Sequence, residues 1–134
     1  MARRIVILAA VAACSVLPAF AQSLPPELVG AWDVSAEACA APGLSVTQID
    51  LSLDRIDTYG GNALVRKVET IGASTFVAGD FEQTEGAAEI APRSRQYFRL
   101  FRAEGPDRMR LVWKDVQTVG LFRCAAIKAN DAAE

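Results

Sequence analysis

Histidine is absent from this chain of 134 residues. Its absence removes the usual general base at neutral pH, the Ser-His-Asp and Cys-His arrangements of hydrolases, and the commonest metal ligand in proteins. A glycine-rich loop that opens a helix is missing as well, so the chain lacks the usual cradle for phosphates. The sequence therefore predicts a protein that is not an enzyme and that uses neither a metal ion nor a cofactor.

An excess of positive charge and a long apolar run are also lacking. The chain carries 14 basic and 16 acidic residues, whereas a general nucleic-acid binder needs a basic surface to neutralise phosphates. The one uncharged and mostly apolar run, residues 5–17, is shorter than the roughly 20 residues that a membrane-spanning helix needs. We therefore expect neither nucleic-acid binding nor a membrane span.

The N-terminus has the pattern of a cleavable export signal. Two arginines precede the apolar run, and small residues around Ala21 fit the pocket of a signal peptidase. We predict a signal peptide over 1–21, one mature domain over 22–134, and a periplasmic or secreted location. A lipoprotein signal is the alternative, because the residues before Cys14 resemble a lipobox and would leave a lipid anchor at Cys14.

Cysteine is scarce, with Cys14, Cys39 and Cys124 as its three positions. Removal of the signal peptide leaves an even pair, and outside the cytoplasm such a pair most often forms a disulfide. We predict a Cys39–Cys124 bridge that joins the start of the domain to its end. Two buried free thiols are the alternative.

The mature region has the short, period-two segments of β-strands, separated by Gly, Pro, Asp and Asn at intervals of about 8–12 residues. Strands are predicted at 28–35, 46–53, 63–71, 75–83, 95–103, 109–114 and 118–126, with one more short strand ending at Tyr59. This pattern predicts an all-β fold, a small antiparallel up-and-down barrel of seven to eight strands. A barrel is favoured over a sandwich because sequential hairpins pair neighbours and closure removes exposed edges.

The first predicted strand carries Gly30, Ala31 and Trp32 after two prolines. This resembles the G-x-W motif of lipocalin-like (calycin-type) barrels. In that superfamily the glycine lets the chain bend at the end of the barrel, the tryptophan plugs that end, and a basic residue on or after the last strand lies across the ring. The resemblance implies this role for Arg123. The motif is also similar to that of small periplasmic metalloprotease inhibitors, and a core Trp32 without any ligand role is the alternative.

Charged side chains cluster at several places in the mature chain, including an arginine-rich strand and a group of aspartates. On the 95–103 strand, Arg95, Tyr97, Arg99 and Phe101 share one face, and such an arginine–aromatic strip is suited to an anionic partner. The alternative is that these arginines pair across the sheet with the acidic segment 80–89. The group of aspartates consists of three residues between positions 50 and 57, which we interpret as solvated surface.

These observations favour a non-catalytic periplasmic binding or accessory protein of unknown ligand. Its partner would be a small apolar ligand inside the barrel or a protein at its rim. The alternative is an inhibitor of a secreted or foreign hydrolase, such as a metalloprotease or lysozyme, acting through a protruding segment. The candidate segments for that role are 22–28 and 85–95.

Overall fold

Eight antiparallel strands form a closed barrel in which each strand pairs with its neighbours in sequence and β8 pairs with β1. The computed structural model describes residues 22–84, 92–102, 104–114 and 116–125. The predicted up-and-down barrel is confirmed, and it has the larger of the two predicted strand counts. Because the sheet closes on itself, its first and last strands are not left as exposed edges.

The elements have the following bounds in chain order. A 3-10 helix (Pro26–Leu28) precedes the barrel, and one short helix, α1 (Ala36–Ala40), lies between the first two strands. The strands are β1 (Gly30–Asp33), β2 (Ile49–Leu51), β3 (Arg55–Thr58), β4 (Gly61–Ile71), β5 (Ser74–Gln83), β6 (Ser94–Phe101), β7 (Arg108–Trp113) and β8 (Val116–Arg123).

The core lies inside the barrel, because alternate residues of each strand point inward. Along β5, for example, Val77 and Phe81 are buried, whereas Phe76, directly before Val77, is exposed. The buried apolar side chains form one continuous cluster. Leu24 and Leu28 belong to it, so the 22–28 segment packs into the end of the barrel instead of protruding as the inhibitor hypothesis requires.

The first two strands are shorter than the predicted segments 28–35 and 46–53. Leu28 already belongs to the 3-10 helix, and Ser35 caps the N-terminus of α1 through its side chain. Leu53, the last residue of the predicted 46–53 strand, lies beyond the end of β2 and is exposed. The reason is local: the chain turns between β2 and β3, so the alternation ends before Leu53.

Several predictions concern residues outside the described ranges. The signal peptide over 1–21, the lipid anchor at Cys14 and most of the 85–95 segment fall there, and they stay predictions. Among the residues that the structure does describe, no helix has the length and apolar character needed to cross a membrane.

Candidate functional site

One end of the barrel is closed by a contact between Trp32 and Arg123. The Trp32 ring is fully buried, its Nε1 donates to the Leu28 carbonyl at 2.9 Å, and the Arg123 guanidinium lies 4.3 Å from the ring centroid. Arg123 also donates to the carbonyls of Val29 (2.9 Å) and Glu27 and to Asp107 Oδ1 (3.0 Å). These donors are used within the chain, so this end serves as a structural plug.

Gly30 allows that closure because its backbone φ is +135°, a value that L residues rarely adopt. A Cβ atom on Gly30 would lie 3.3 Å from Arg123 Nη1. The structure therefore brings together all three residues of the lipocalin-like pattern, Gly30, Trp32 and Arg123.

The disulfide joins Cys39 on α1 to Cys124, which directly follows Arg123. The two sulfur atoms are 2.10 Å apart, the Cα atoms are 5.2 Å apart, and both residues are buried. The predicted pairing is confirmed. The bridge holds α1 against the place where the chain leaves the barrel, and a disulfide fits an oxidising compartment.

Arg95, the first residue of the predicted arginine–aromatic strip, is engaged within the sheet. Its Nε lies 2.7 Å from Asp80 Oδ1, and Arg66 Nε contacts the other oxygen of Asp80 at the same distance. Hydrogen bonds from Arg95 and then Arg66 hold the pKa of Asp80 below its usual range. Arg93 pairs likewise with Glu82 at 2.7 Å. Cross-strand pairing, the alternative prediction, thus describes this end of the strip.

Arg99 has a different environment at the middle of the strip. Its Nε and Nη2 donate to Ser74 Oγ at 3.1 and 3.0 Å, and its guanidinium lies 5.7 Å from the Phe76 ring and 5.2 Å from the Phe101 ring. Among the described residues no carboxylate pairs with Arg99. The aromatic rings and the serine therefore hold a positive charge on the outer face of the sheet.

Tyr97 projects from the same face and borders a groove. It is 71% exposed, and Phe76 on the neighbouring strand is 41% exposed. The groove has a volume of about 190 Å³, and the residues that line it include Lys67, Glu69, Phe76 and Tyr97. We refer to Phe76, Tyr97, Arg99 and Phe101 as the aromatic face.

A second groove lies on the other side of Phe101, across β7 and β8. Its volume is about 280 Å³, and it is lined by Phe101, Glu104, Arg108, Arg110, Gly120 and Phe122 among others. We call this the Glu104 groove. The sequence places Arg110 on the predicted 109–114 strand and Arg108 just before it, but it does not show that Gly120 lies opposite Arg110 and opens the surface there.

The three aspartates between positions 50 and 57 lie on the opposite side of the barrel. Asp50 and Asp57 are direct cross-strand partners in β2 and β3, beside a groove of about 150 Å³. Burial raises the pKa of Asp57, and the carboxylates of Asp50 and Asp54 add to this while Arg55 opposes it. Within the described ranges, no three acidic, cysteine or histidine side chains are grouped to hold a metal ion.

Asp57→Asn is expected to raise the free energy of unfolding near neutral pH by a few tenths of a kcal/mol to about 1 kcal/mol, since it removes a like-charge cross-strand pair. The folded pKa lies above the unfolded one, so ionised Asp57 destabilises the folded protein above its folded pKa. This penalty disappears as the pH falls below the unfolded pKa. Urea denaturation of the wild type and of Asp57→Asn, at neutral pH and at a pH below the unfolded pKa of Asp57, measures the effect.

The matched control for this prediction is Glu37→Gln on α1. The pKa of Glu37 is lowered, first by a backbone hydrogen bond and then by Ser35, so its removal should not stabilise the protein at neutral pH. A gain for Asp57→Asn that persists in acid would contradict the prediction.

Comparison with known proteins found no match to any family model, curated protein or solved structure.

Proposed function

We propose that this chain is a non-catalytic binding protein that acts in the periplasm or outside the cell and receives a protein partner on its aromatic face. One observation carries the proposal: Tyr97, Phe76 and Arg99 lie together on the outer face of the sheet formed by β5 and β6. Tyrosine, other aromatic residues and arginine are the residue types enriched at the centres of protein interfaces.

The packing of the barrel favours this outer surface over a ligand inside. The Trp113 ring lies 4.9 Å from the Phe81 ring and 5.1 Å from the Phe98 ring within the barrel. The Lys114 ammonium lies over Trp113 at 4.6 Å. A small apolar ligand would have to displace these contacts, whereas a partner on the aromatic face displaces none of them.

Site-specific photocross-linking tests the proposal. A benzophenone amino acid in place of Tyr97 should give a discrete adduct with another exported protein, and Arg99→Gln should abolish that adduct without unfolding the barrel. The same probe in place of Tyr59, an exposed residue of the β3–β4 turn, is the control. The absence of an adduct at position 97, or identical adducts at both positions, would overturn the proposal.

A second function, inhibition of a hydrolase, is favoured by the loop between α1 and β2. Leu44 and Val46 on this loop are 82% and 64% exposed. The loop is braced at both ends, by the disulfide at Cys39 and by a 2.6 Å hydrogen bond from Thr47 Oγ1 to Asp33 Oδ1. A braced loop with apolar tips loses little conformational entropy when it enters an enzyme cleft.

An inhibition assay against a panel of extracellular metalloproteases and lysozymes tests this second function. The wild-type protein should inhibit at least one enzyme, and Leu44→Asp should weaken that inhibition about tenfold or more, as expected for an apolar anchor. If micromolar wild-type protein inhibits none of them, this function is ruled out for those enzyme classes.

A further inference from the structure

The Glu104 groove adjoins the aromatic face and contains an unbalanced charge cluster. Glu104 bridges two arginines, with Oε2 at 3.2 Å from Arg108 Nη1 and Oε1 at 3.1 Å from Arg110 Nη2. Each guanidinium has five N–H donors, so these single contacts leave most of the donors of Arg108 and Arg110 unused by Glu104. Two positive charges therefore face one carboxylate.

Glu104 is placed so that a partner can replace it. It belongs to the β6–β7 loop, its side chain is 49% exposed, and exposed ion pairs of this kind contribute little to stability. The arginines themselves are anchored on strand β7, and Arg108 also lies 5.0 Å from the Phe122 ring. The cations therefore stay in position when the carboxylate leaves.

The groove also has room beside the charges. Arg110 is paired across the sheet with Phe101 on one side and with Gly120 on the other. A Cβ on Gly120 would meet no atom within 4 Å, so the surface at this point is open. Aromatic rings border the space, with Phe101 on one side and Phe122 on the other.

We infer that the Glu104 groove binds an acidic segment of a protein partner, and that a carboxylate of the partner takes the place of Glu104 on Arg108 and Arg110. This inference rests on the proposed function, because it names the chemistry by which the Glu104 groove and the aromatic face bind the same partner. Arginine binds carboxylates through two parallel N–H donors, and the flanking rings suit an apolar residue next to the acid.

In the free protein Glu104 is then a built-in competitor. Its removal should strengthen the binding of an acidic ligand, whereas a glutamate that only stabilised the loop would have no such effect. The net charge of Arg108, Arg110 and residue 104 changes from +1 to +2 in Glu104→Gln, because the carboxylate that pairs with both arginines is removed.

Fluorescence anisotropy with a labelled short peptide of alternating glutamate and phenylalanine tests the inference on the mature protein. Glu104→Gln should bind this peptide roughly two- to thirtyfold more tightly than wild type, the range given by two exposed ion pairs. Glu37→Gln on α1 alters the net charge equally and should leave the affinity unchanged. Arg110→Gln should lose most of the binding.

Gly120→Val provides a variant that keeps every charge and is compatible with the fold, because the added side chain has open space. It should lower peptide affinity by filling the groove. The same peptide with glutamine in place of glutamate should bind at least tenfold more weakly.

The inference is overturned if Glu104→Gln binds the acidic peptide no more tightly than wild type. It is also overturned if the neutral peptide binds equally well, or if vesicles containing anionic phospholipid bind in preference to the peptide. Any of these outcomes would overturn the inference without affecting the cross-link at position 97. Loss of that cross-link, with the effect of Glu104→Gln retained, would instead refute the proposed function.

Discussion

Replacing both Cys39 and Cys124 with alanine is expected to lower the free energy of unfolding by roughly 4–5 kcal/mol. The bridge spans 85 positions of the sequence, and a cross-link of that span removes a large amount of conformational entropy from the unfolded chain. A domain of this size has a modest core, so this is a large part of its total stability.

The position of the bridge adds to its importance. The barrel closes where β1 meets β8, and there Trp32 pairs with Arg123 and Asp33 with Phe122. Because β1 is a short strand, this seam has few hydrogen bonds to hold it. The disulfide lies next to the seam, since Cys124 follows Arg123 directly, so its loss also frees the two ends of the barrel to separate.

Guanidinium denaturation of the oxidised wild type, the reduced wild type and the double alanine variant measures this effect. The reduced wild type and the variant should unfold at similar denaturant concentrations, both well below the oxidised wild type. A reductant should not change the unfolding of the variant. A difference of less than about 1 kcal/mol between the oxidised wild type and the variant would contradict the entropic argument.

Arg123→Met is expected to lower the free energy of unfolding by about 2–4 kcal/mol, the second largest effect. The Arg123 side chain is 19% exposed, and it donates to Asp107 and to the backbone carbonyls of Glu27, Val29 and Pro106 while it covers the Trp32 ring. Methionine keeps an unbranched apolar stem, although a shorter one, and removes the charge and every donor. Glu27 and Val29 then lose the hydrogen-bond partner of their carbonyls at the barrel end.

Two variants separate the causes of this loss. Arg123→Lys keeps the positive charge but cannot supply the fork of donors, so it should recover less than half of the lost stability. Arg102→Met makes the same substitution at an arginine that lies 3.8 Å from the exposed Glu27, and it should change stability by no more than about 0.5 kcal/mol. Equal losses for Arg123→Met and Arg102→Met would contradict the role of the plug.

Tryptophan fluorescence gives an independent readout for Arg123→Met. The chain has two tryptophans, and in a Trp113→Phe background the emission reports Trp32 alone. Trp113 Nε1 is buried without a hydrogen-bond partner among the described residues, so phenylalanine there leaves no partner unsatisfied. Loss of the covering guanidinium should shift the Trp32 emission to longer wavelength.

The candidate site was predicted only in part. Period two correctly placed Arg95, Tyr97, Arg99 and Phe101 on the outer face of β6. It gave no way to tell that Arg95 is held by Asp80 while Arg99 is held by Ser74 and two rings. That distinction depends on the register between β5 and β6, and a shift of register changes every partner.

The sequence alone determined the class of fold, the disulfide, and the contact between Trp32 and Arg123 that the G-x-W motif implies. The fold class and the disulfide follow from strand periodicity, turn residues and a cysteine pair, all of which can be seen along the chain. The Trp32–Arg123 contact is what the resemblance to lipocalin-like barrels implies. Only the tertiary structure decided that Gly120 and Glu104 form a groove with Arg108 and Arg110. Residues of two strands and a loop meet there because the sheet closes with a particular register, and no local pattern encodes that closure.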